Sequence, residues 1–213
     1  MNFIDERIEE YALAHSKKQS QLLMDLERET NTSVLMPRMI SGHLQGRILS
    51  FLSKMQQPST ILEIGTYTGF SALCMAEGLA AGGKLITIDI NEELAPVSNK
   101  YFQKSAFAQQ IKPMVGNAME IVPALTDKFD LVFIDADKDN YLNYFNMIID
   151  QCNSGALIIC DNVLWSGKVL VKAEKKDLDT QVLQELNAFI TADDRVDNIL
   201  MPVRDGLMLA RVK

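Results

Sequence analysis

From Thr60 onward, the chain alternates between short apolar runs rich in β-forming residues and longer segments with helical spacing. Continuous apolar strands separated by helices are typical of a parallel sheet that is covered on both faces. The last two runs are separated only by Arg204-Asp205-Gly206, which is too short for a crossover and predicts an antiparallel hairpin. Strands are predicted near residues 60–65, 84–90, 111–116, 129–135, 155–161, 196–203 and 206–212, and helices near 69–81, 92–109, 118–125, 139–152 and 177–192. The sequence therefore predicts an α/β fold with a mostly parallel seven-stranded sheet and helices on both faces.

The residues before Thr60 have a different pattern, in which apolar side chains recur at helical spacing. This spacing covers two stretches before residue 30 and returns over Ile40–Met55, whereas the polar stretch Thr30–Arg38 is predicted to be a loop. No repeat or Pro/Gly/Ser-rich linker divides the chain, and 213 residues are a usual length for one domain. We therefore predict a single domain over 1–213, with N-terminal helices in 1–58 and an α/β core in 59–213.

The composition excludes some classes of function. A formal charge of -7 argues against a general nucleic-acid binder, which would need a basic surface. No run approaches the roughly 18 apolar residues of a membrane span, and the first residues lack the pattern of a signal peptide, so neither is expected. Cys74, Cys152 and Cys160 are odd in number and lack metal-binding spacing, which predicts buried, reduced thiols and a cytoplasmic protein.

The first predicted strand ends in a turn with two glycines, Glu63-Ile64-Gly65-Thr66-Tyr67-Thr68-Gly69, that leads into a helix. Gly65 permits a tight turn and the close approach of a ligand to the backbone. Amides at the start of the helix, with Ser71 nearby, suit a ligand carboxylate. The pattern is neither G-x-G-x-x-G nor a P-loop, which favours a smaller nucleoside over a dinucleotide or a nucleoside triphosphate. Taken alone, an ordinary strand–helix turn explains these residues equally well.

The ends of the second and third predicted strands add to this interpretation. Asp89 ends the second predicted strand and follows Gly65 by 24 positions. An acidic residue about 20 positions on, at the end of the second strand, binds ribose hydroxyls in Rossmann-type sites. Gly116-Asn117-Ala118 follows the third strand, and the small Ala118 leaves room for an adenine ring. A solvated aspartate and an ordinary turn are the alternatives for these two positions.

Oxygen-bearing side chains also follow the fourth and fifth predicted strands, as Asp135 and as Asp161-Asn162. Neighbouring strands lie about 4.8 Å apart, so both carboxylates can reach one cation if these strands are adjacent. Three oxygen donors without His or Cys favour a hard cation such as Mg²⁺ or Ca²⁺. Such a set leaves positions for a water and for two neighbouring oxygens of a catechol. The alternative is that the acidic segment Asp135–Asp139 forms a solvated helix start with caps.

Lys138 lies within this acidic segment, one turn from Asp135. A lysine beside a divalent cation loses its proton more readily, and it can then accept the proton of a nearby hydroxyl. Charge balance is the alternative role. Trp165, which follows Asp161-Asn162, either lines a substrate pocket or packs in the core. The sequence thus offers Lys138 as a candidate catalytic base.

Together these motifs resemble the caffeoyl-CoA O-methyltransferase family, which is related to catechol O-methyltransferase. The segments that carry the resemblance are Ile61–Ser71, Ile88-Asp89, Asp135–Tyr141 and Asp161–Trp165, and it runs from about Met39 to the C-terminus. It implies a Rossmann-like class I methyltransferase fold, S-adenosyl-L-methionine as methyl donor and a divalent cation such as Mg²⁺, Mn²⁺ or Ca²⁺. It also implies a homodimer, in which the helices of 1–58 would cover the active site and contribute dimer contacts.

The resemblance assigns a role to each candidate residue by position. Ser41, Glu63, Gly65, Thr66, Ser71, Asp89, Ala118 and Asp137 would hold the donor, Asp135, Asp161 and Asn162 would hold the metal, and Lys138 would be catalytic. The chain departs from plant members at Gly42-His43-Leu44-Gln45, where they have an acidic run, and at Cys160, where they have Tyr. We therefore predict a metal-dependent O-methyltransferase of small catechols rather than of coenzyme A thioesters. A non-catalytic module that binds S-adenosylmethionine is the alternative, although it would not need the metal set or Lys138.

Overall fold

The computed structural model describes residues 5–213, so the first four residues of the predicted domain lie outside the described residues. The helices are α1 (Glu6–Ala14), α2 (Gln21–Ser33), α3 (Gly42–Gln56), α4 (Phe70–Ala76), α5 (Ala95–Lys104), α6 (Ala118–Ile121), α7 (Tyr141–Ile149) and α8 (Leu178–Ala192). The strands are β1 (Thr60–Ile64), β2 (Lys84–Asp89), β3 (Ile111–Val115), β4 (Phe129–Ile134), β5 (Cys152–Asp161), β6 (Val196–Met201) and β7 (Leu207–Val212). Short 3₁₀ helices lie at Pro37–Met39, Glu92–Leu94, Val122–Ala124, Lys138–Asn140 and Trp165–Leu170. Over residues 5–213, no helix combines the length and the apolar character needed to cross a membrane.

The strands form one seven-stranded sheet in the order β3-β2-β1-β4-β5-β7-β6. Strands β1 to β5 pair in parallel, whereas β7 pairs antiparallel with both β5 and β6. The predicted mostly parallel sheet and its C-terminal hairpin are therefore confirmed. Because β1 lies between β2 and β4, the strand order reverses at this point, and ligands bind at such a point outside the carboxyl ends of the strands.

The central strands β1, β2 and β4 bury both of their faces, whereas the edge strand β3 is mostly exposed. Alternate side chains of a strand point to opposite sides of the sheet. On one side, Leu62 of β1 belongs to an apolar cluster that includes Phe145 of α7. On the other side, Ile61 belongs to a second cluster that includes Leu49 of α3 and Phe70 of α4. The predicted helices therefore cover both faces, and the polar strand ends are left at one edge of the sheet.

Several element boundaries differ from the sequence-based expectation, among them the ends of α2, α4 and α5 and the start of β5. Helix α2 continues to Ser33, so the first part of the predicted Thr30–Arg38 loop is helical. Thr30 is fully buried and donates a hydrogen bond to Thr68 Oγ1 at 3.2 Å, so this polar residue faces the core. Helix α4 ends at Ala76, short of the predicted boundary near residue 81. Gly78, just after it, lies so close to α3 that a Cβ there would overlap the backbone of α3. Both boundaries therefore lie beside a contact with a part of the chain that is distant in sequence.

The cysteines agree with the prediction of reduced thiols. Cys74 and Cys160 are buried, Cys152 is partly buried, and all three of these described residues have free thiols. Burial raises the pKa of each thiol to about 12. A thiol in such surroundings stays protonated and unreactive at neutral pH, so these residues serve packing.

Candidate active site

The carboxyl ends of the parallel strands open into a cavity of about 1840 Å³. Its walls come from the strand ends, from the segment before α3 and from the turn between β6 and β7. The sequence-predicted residues that line it are Ser41, Gly65, Asp89, Ala118, Asp135, Asp137, Lys138, Asp161 and Asn162. A second cavity of about 390 Å³ is lined by other residues, among them Lys54 and Glu77. The structure therefore brings into one cavity most of the residues that were predicted to bind the methyl donor or the metal.

The turn after β1 holds three strand ends together at Gly65. Its amide donates to the carbonyl of Ile88 at 2.8 Å, and the amide of Asp135 donates to the carbonyl of Ile64 at 2.8 Å. Gly65 has a φ of 102°, and a Cβ at this position would overlap the backbone carbonyl of Asp135. A residue without a side chain is needed for this conformation and this approach. The turn consequently fixes the spacing between β1, β2 and β4 at the cavity.

Glu63, Thr66 and Ser71 lie behind this turn, outside the cavity lining. Glu63 is fully buried, and its carboxyl group accepts hydrogen bonds from Ser71 Oγ at 2.6 Å and from Thr87 Oγ1. The hydroxyls of Thr66 and Thr87 also bond to each other. Burial raises the pKa of Glu63 to about 8, although the bonds from Ser71 and Thr87 act in the opposite direction. These side chains support the turn, and their direct contact with a donor stays a prediction.

Asp89, the last residue of β2, and Ala118, beyond the end of β3, face the cavity. One carboxylate oxygen of Asp89 accepts a hydrogen bond from the amide of Tyr67 at 2.7 Å, and the other accepts from the amide of Asn91 at 2.8 Å. Each carboxylate oxygen can accept two hydrogen bonds, so a lone pair remains on both. Ala118 begins α6, which is capped by the side chain of Asn117. This part of the cavity suits a pair of hydroxyls beside a flat ring.

Ser41 and Asp137 add two polar groups to the same wall. Ser41 immediately precedes α3 and is 7% exposed. The carboxylate of Asp137 accepts hydrogen bonds from the hydroxyl of Tyr144 at 2.7 Å and from the side chain of Asn140. Because these partners are side chains, Asp137 is held as a cavity group and not as a helix cap. The alternative of a purely capping acidic segment is therefore disfavoured.

Asp135, Asp161 and Asn162 meet where β4 and β5 end. The two strands are parallel neighbours, with Ile134 paired to Cys160. Asp161 is 3% exposed, and its Oδ1 accepts a hydrogen bond from the amide of Asn162 at 2.7 Å. Asn162 has a φ of 59°, a left-handed conformation that Asn adopts more readily than most residues. The adjacency on which the predicted metal set depends is present.

The ammonium group of Lys138 lies among these oxygens. Its Nζ is 3.4 Å from Asp135 Oδ1 and donates to Asn162 Oδ1 at 3.0 Å. It also donates to the hydroxyl of Tyr141, and the side chain is only 8% exposed. A positive charge therefore lies beside two of the three side chains of the predicted metal set, Asp135 and Asn162.

At the ends of β4 and β5, two carboxyl groups lie near one ammonium group, that of Lys138. Burial raises the pKa of Asp161 to about 7 and the charge of Asp135 adds to the shift, while the hydrogen bond from Gln45 and the charge of Lys138 oppose it. The single positive charge of Lys138 thus balances only part of the negative charge that two ionised carboxylates would carry. A divalent cation would balance more of it. Among residues 5–213, no group of three or more His, Cys, Asp or Glu is placed to hold a metal, so the amide oxygen of Asn162 is needed as the third donor. An all-oxygen set fits Mg²⁺, Mn²⁺ or Ca²⁺.

Two side chains that sequence reasoning did not assign to the site contact its residues, Gln45 at Asp161 and Tyr141 at Lys138. Gln45 Nε2 donates to Asp161 Oδ2 at 2.5 Å. Tyr141 is fully buried, and its hydroxyl donates to a backbone carbonyl of β4 at 3.2 Å while accepting from Lys138. The available signal for Gln45 was its place one helical turn before Leu49, on the buried side of α3. A buried amide needs a hydrogen-bond partner, but local spacing does not say which partner it has.

The fold is shared with solved methyltransferases. A methyltransferase of Podospora anserina with SAH bound superposes with a TM-score of 0.88, at 29% identity, over 98% of this chain and 94% of its own. An O-methyltransferase of Bacillus cereus in complex with SAH superposes with a TM-score of 0.90, at 26% identity, over 97% of both chains. The fold is the Rossmann-like class I methyltransferase fold that the sequence predicted.

Within that class, the chain belongs to the O-methyltransferase family, whose model matches residues 13–213. Caffeoyl-CoA O-methyltransferase 5 of Nicotiana tabacum is 34% identical over 178 residues, which cover 78% of this chain and 74% of the tobacco protein. Catechol O-methyltransferase of Niastella koreensis is 34% identical over 187 residues, which cover 84% of each protein. The resemblance on which the sequence-based prediction rested is confirmed, and the protein is an O-methyltransferase.

Proposed function

We propose that this O-methyltransferase transfers a methyl group from S-adenosyl-L-methionine to one hydroxyl of a catechol-type small molecule, with a divalent cation. The observation that carries the proposal is the convergence of two carboxylates, an amide and a lysine in one cavity. These residues are Asp135, Asp161, Asn162 and Lys138. A protein that only binds a nucleoside needs none of them, so the observation favours catalysis over a non-catalytic binding module.

The donor would lie over the ends of β1, β2 and β3. We assign its ribose hydroxyls to Asp89, its adenine ring to the space beside Ala118 and its closest backbone approach to Gly65. The remaining predicted donor residues are Ser41 and Asp137 on the cavity wall and Glu63, Thr66 and Ser71 behind the turn. The SAH bound by the similar methyltransferases of Podospora anserina and Bacillus cereus supports this choice of donor.

Asp135, Asp161 and Asn162 would hold the cation, Mg²⁺ or another hard divalent ion. When bound, the cation would act as a Lewis acid that stabilises an ionised hydroxyl. Lys138, in its neutral form, would take the proton of that hydroxyl on Nζ. The ionised oxygen then forms a bond to the sulfonium methyl, the carbon–sulfur bond breaks, and S-adenosylhomocysteine leaves.

The surroundings of Lys138 hold it in place for this role. Its Nζ lies 4.3 Å from the centre of the Tyr141 ring and 5.9 Å from that of Trp165. Trp165 has a φ of 47°, and backbone strain of this kind in a bulky residue is concentrated at functional sites. We infer that Trp165 forms one wall of the acceptor pocket and limits the access of water to Lys138.

The acceptor we favour is a small catechol. The relatives include both a caffeoyl-CoA and a catechol O-methyltransferase, and Gly42-His43-Leu44-Gln45 differs from the acidic run of plant members. A homodimer and a cytoplasmic location remain predictions from the resemblance and from the composition.

Methyl transfer to a panel of catechols, followed by product mass, tests the proposal. The enzyme is assayed after exhaustive chelation and again after Mg²⁺ is restored, and we expect activity to be lost and then recovered. Full activity in the chelated sample would exclude the cation mechanism. Donor binding without methylation of any vicinal diol would favour the non-catalytic module, and a preference for caffeoyl-CoA over free catechols would contradict the assigned acceptor class.

A further inference from the structure

The carboxylate of Asp161 accepts hydrogen bonds from the next residue in the chain and from a residue of helix α3. Its Oδ1 accepts from the amide of Asn162 at 2.7 Å, and its Oδ2 accepts from Gln45 Nε2 at 2.5 Å. Gln45 and Asp161 are 1% and 3% exposed, so water competes little for this contact. Since a carboxylate oxygen can accept two hydrogen bonds, both oxygens retain a lone pair for a further partner.

Gln45 has little freedom to move, because α3 packs closely on α4 at the next residue. A Cβ at Gly46 would lie 2.7 Å from Phe70 Cε1 and 2.8 Å from Cys74 Sγ, so the two helices approach each other only because this residue is glycine. The group that orients Asp161 is therefore carried by a helix that is fixed against the core.

We propose that Gln45 is a positioning residue whose amide orients the Asp161 carboxylate for a divalent cation and thereby sets the affinity for that cation. The inference rests on the proposed cation site, which makes Asp161 a ligand. Hydrogen bonds from neighbouring groups fix the orientation of metal ligands, and their loss lowers metal affinity by about 10–100-fold. If Gln45 only packed α3 against the core, its replacement would change stability and leave cation affinity as it is.

The test compares the Gln45→Met variant with the wild-type protein. Methionine is close to glutamine in size and has no N–H donor, so this change removes the hydrogen bond and little volume. Mn²⁺ binding is titrated by electron paramagnetic resonance in the absence of the methyl donor and the methyl acceptor. SAH binding is measured by calorimetry. We expect Mn²⁺ binding to weaken by about 10–100-fold while SAH affinity stays within about twofold of the wild-type value.

Gln56→Met on the same helix is the matched control. Gln56 Nε2 also donates to oxygens, the backbone carbonyls of Asp130 at 3.2 Å and Gly155 at 2.9 Å. Gln56 is the last residue of α3, and neither of its hydrogen-bond partners belongs to the proposed cation site. Loss of its hydrogen bonds should therefore lower the stability of the protein and leave Mn²⁺ binding unchanged. Wild-type Mn²⁺ affinity in a folded Gln45→Met protein would overturn the role of Gln45 and leave the cation site intact. A wild-type protein that binds no Mn²⁺ would overturn the cation site, and the role of Gln45 with it.

A measurement on the wild-type protein covers the case in which Gln45→Met does not fold. The side-chain amide signals of Gln45 and Gln56 are followed by nitrogen-15 NMR as Mg²⁺ is added. The Gln45 signal should shift and the Gln56 signal should stay in place. An unshifted Gln45 signal at a Mg²⁺ concentration that supports full activity would equally overturn the proposal.

Discussion

The cavity has two halves that are stabilised in different ways. In the donor half, at the ends of β1, β2 and β3, both carboxylate oxygens of Asp89 accept hydrogen bonds from backbone amides. In the cation half, at the ends of β4 and β5, the carboxylates of Asp135 and Asp161 share the single ammonium group of Lys138. The donor half thus holds its acidic group with neutral dipoles, whereas the cation half has room for more positive charge. On the proposed function, the first half would receive the hydroxyl groups of the methyl donor and the second half would receive an ion.

The largest expected effect lies in the cation half, at Lys138. Lys138→Ala should lower kcat by about 10²–10⁴-fold, the usual contribution of a positioned base, because the acceptor hydroxyl then loses its proton acceptor. Lys138→Arg should not restore the rate, since a guanidinium group stays protonated. Steady-state kinetics on a catechol measures kcat, and calorimetry should show nearly unchanged SAH affinity.

Lys168→Ala is the control for this experiment. The Nζ of Lys168 lies 5.9 Å from the centre of the same Trp165 ring, but its side chain is 56% exposed. Its removal should leave kcat near the wild-type value. A Lys138→Ala enzyme with a near-normal kcat at neutral pH would show that Lys138 only balances charge, and the contrast between the two halves would lose its catalytic meaning.

A smaller effect is expected in the donor half, at Asp89. Asp89→Ala should cost about 1–3 kcal/mol of donor binding free energy, because hydrogen bonds to a charged acceptor are lost. Mn²⁺ affinity should not change, because Asp89 lies at the end of β2 and outside the cation half. Glu93→Ala, an exposed change in the same cavity wall, should leave both affinities unchanged. Unchanged SAH affinity in Asp89→Ala, measured by calorimetry, would reject the ribose role.

The smallest expected effect concerns Glu63, behind the donor half, and it is an effect on the stability of the fold. Burial raises the pKa of Glu63 from 4.5 to about 8 on folding, so the folded state holds this proton more tightly than the unfolded state. The stability contributed by this group is therefore fully present at pH below the unfolded pKa and is lost as the pH rises through the folded pKa. In the wild-type protein, the free energy of unfolding should therefore fall between about pH 5 and pH 8, by at most about 1.4 kcal/mol per pH unit from this group. Urea unfolding of Glu63→Gln over the same range should not show this fall.

Glu77→Gln is the matched control for the pH series. Burial raises the pKa of Glu77, but hydrogen bonds from Arg47 and Lys54 outweigh it and lower the pKa to about 2. Glu77 therefore titrates below the pH window of the experiment, and its replacement should shift the stability without changing the slope. Equal slopes for the wild-type protein and Glu63→Gln would contradict the view that the donor half rests on a buried carboxyl group with a raised pKa.

The sequence predicted most of the fold from local patterns. Continuous apolar runs from Thr60 onward indicated strands buried on both faces, and the short Arg204-Asp205-Gly206 gap indicated the hairpin that closes the sheet. Local patterns failed at Thr30, which they placed in a loop. Its hydroxyl reaches Thr68 in the core, and a contact across 38 positions leaves no trace in the spacing of neighbouring residues.

By itself, the sequence determined which residues end the strands, because strand periodicity and chain direction place Asp89, Asp135 and Asp161 at the same edge of a parallel sheet. The tertiary structure decided how those residues are held. It made β4 and β5 neighbours, put Glu63 behind the Gly65 turn and brought Gln45 to Asp161 across 116 positions. The physical reason is that these contacts depend on how helices pack on the sheet, where close approach at a residue such as Gly46 sets distances that no local pattern contains.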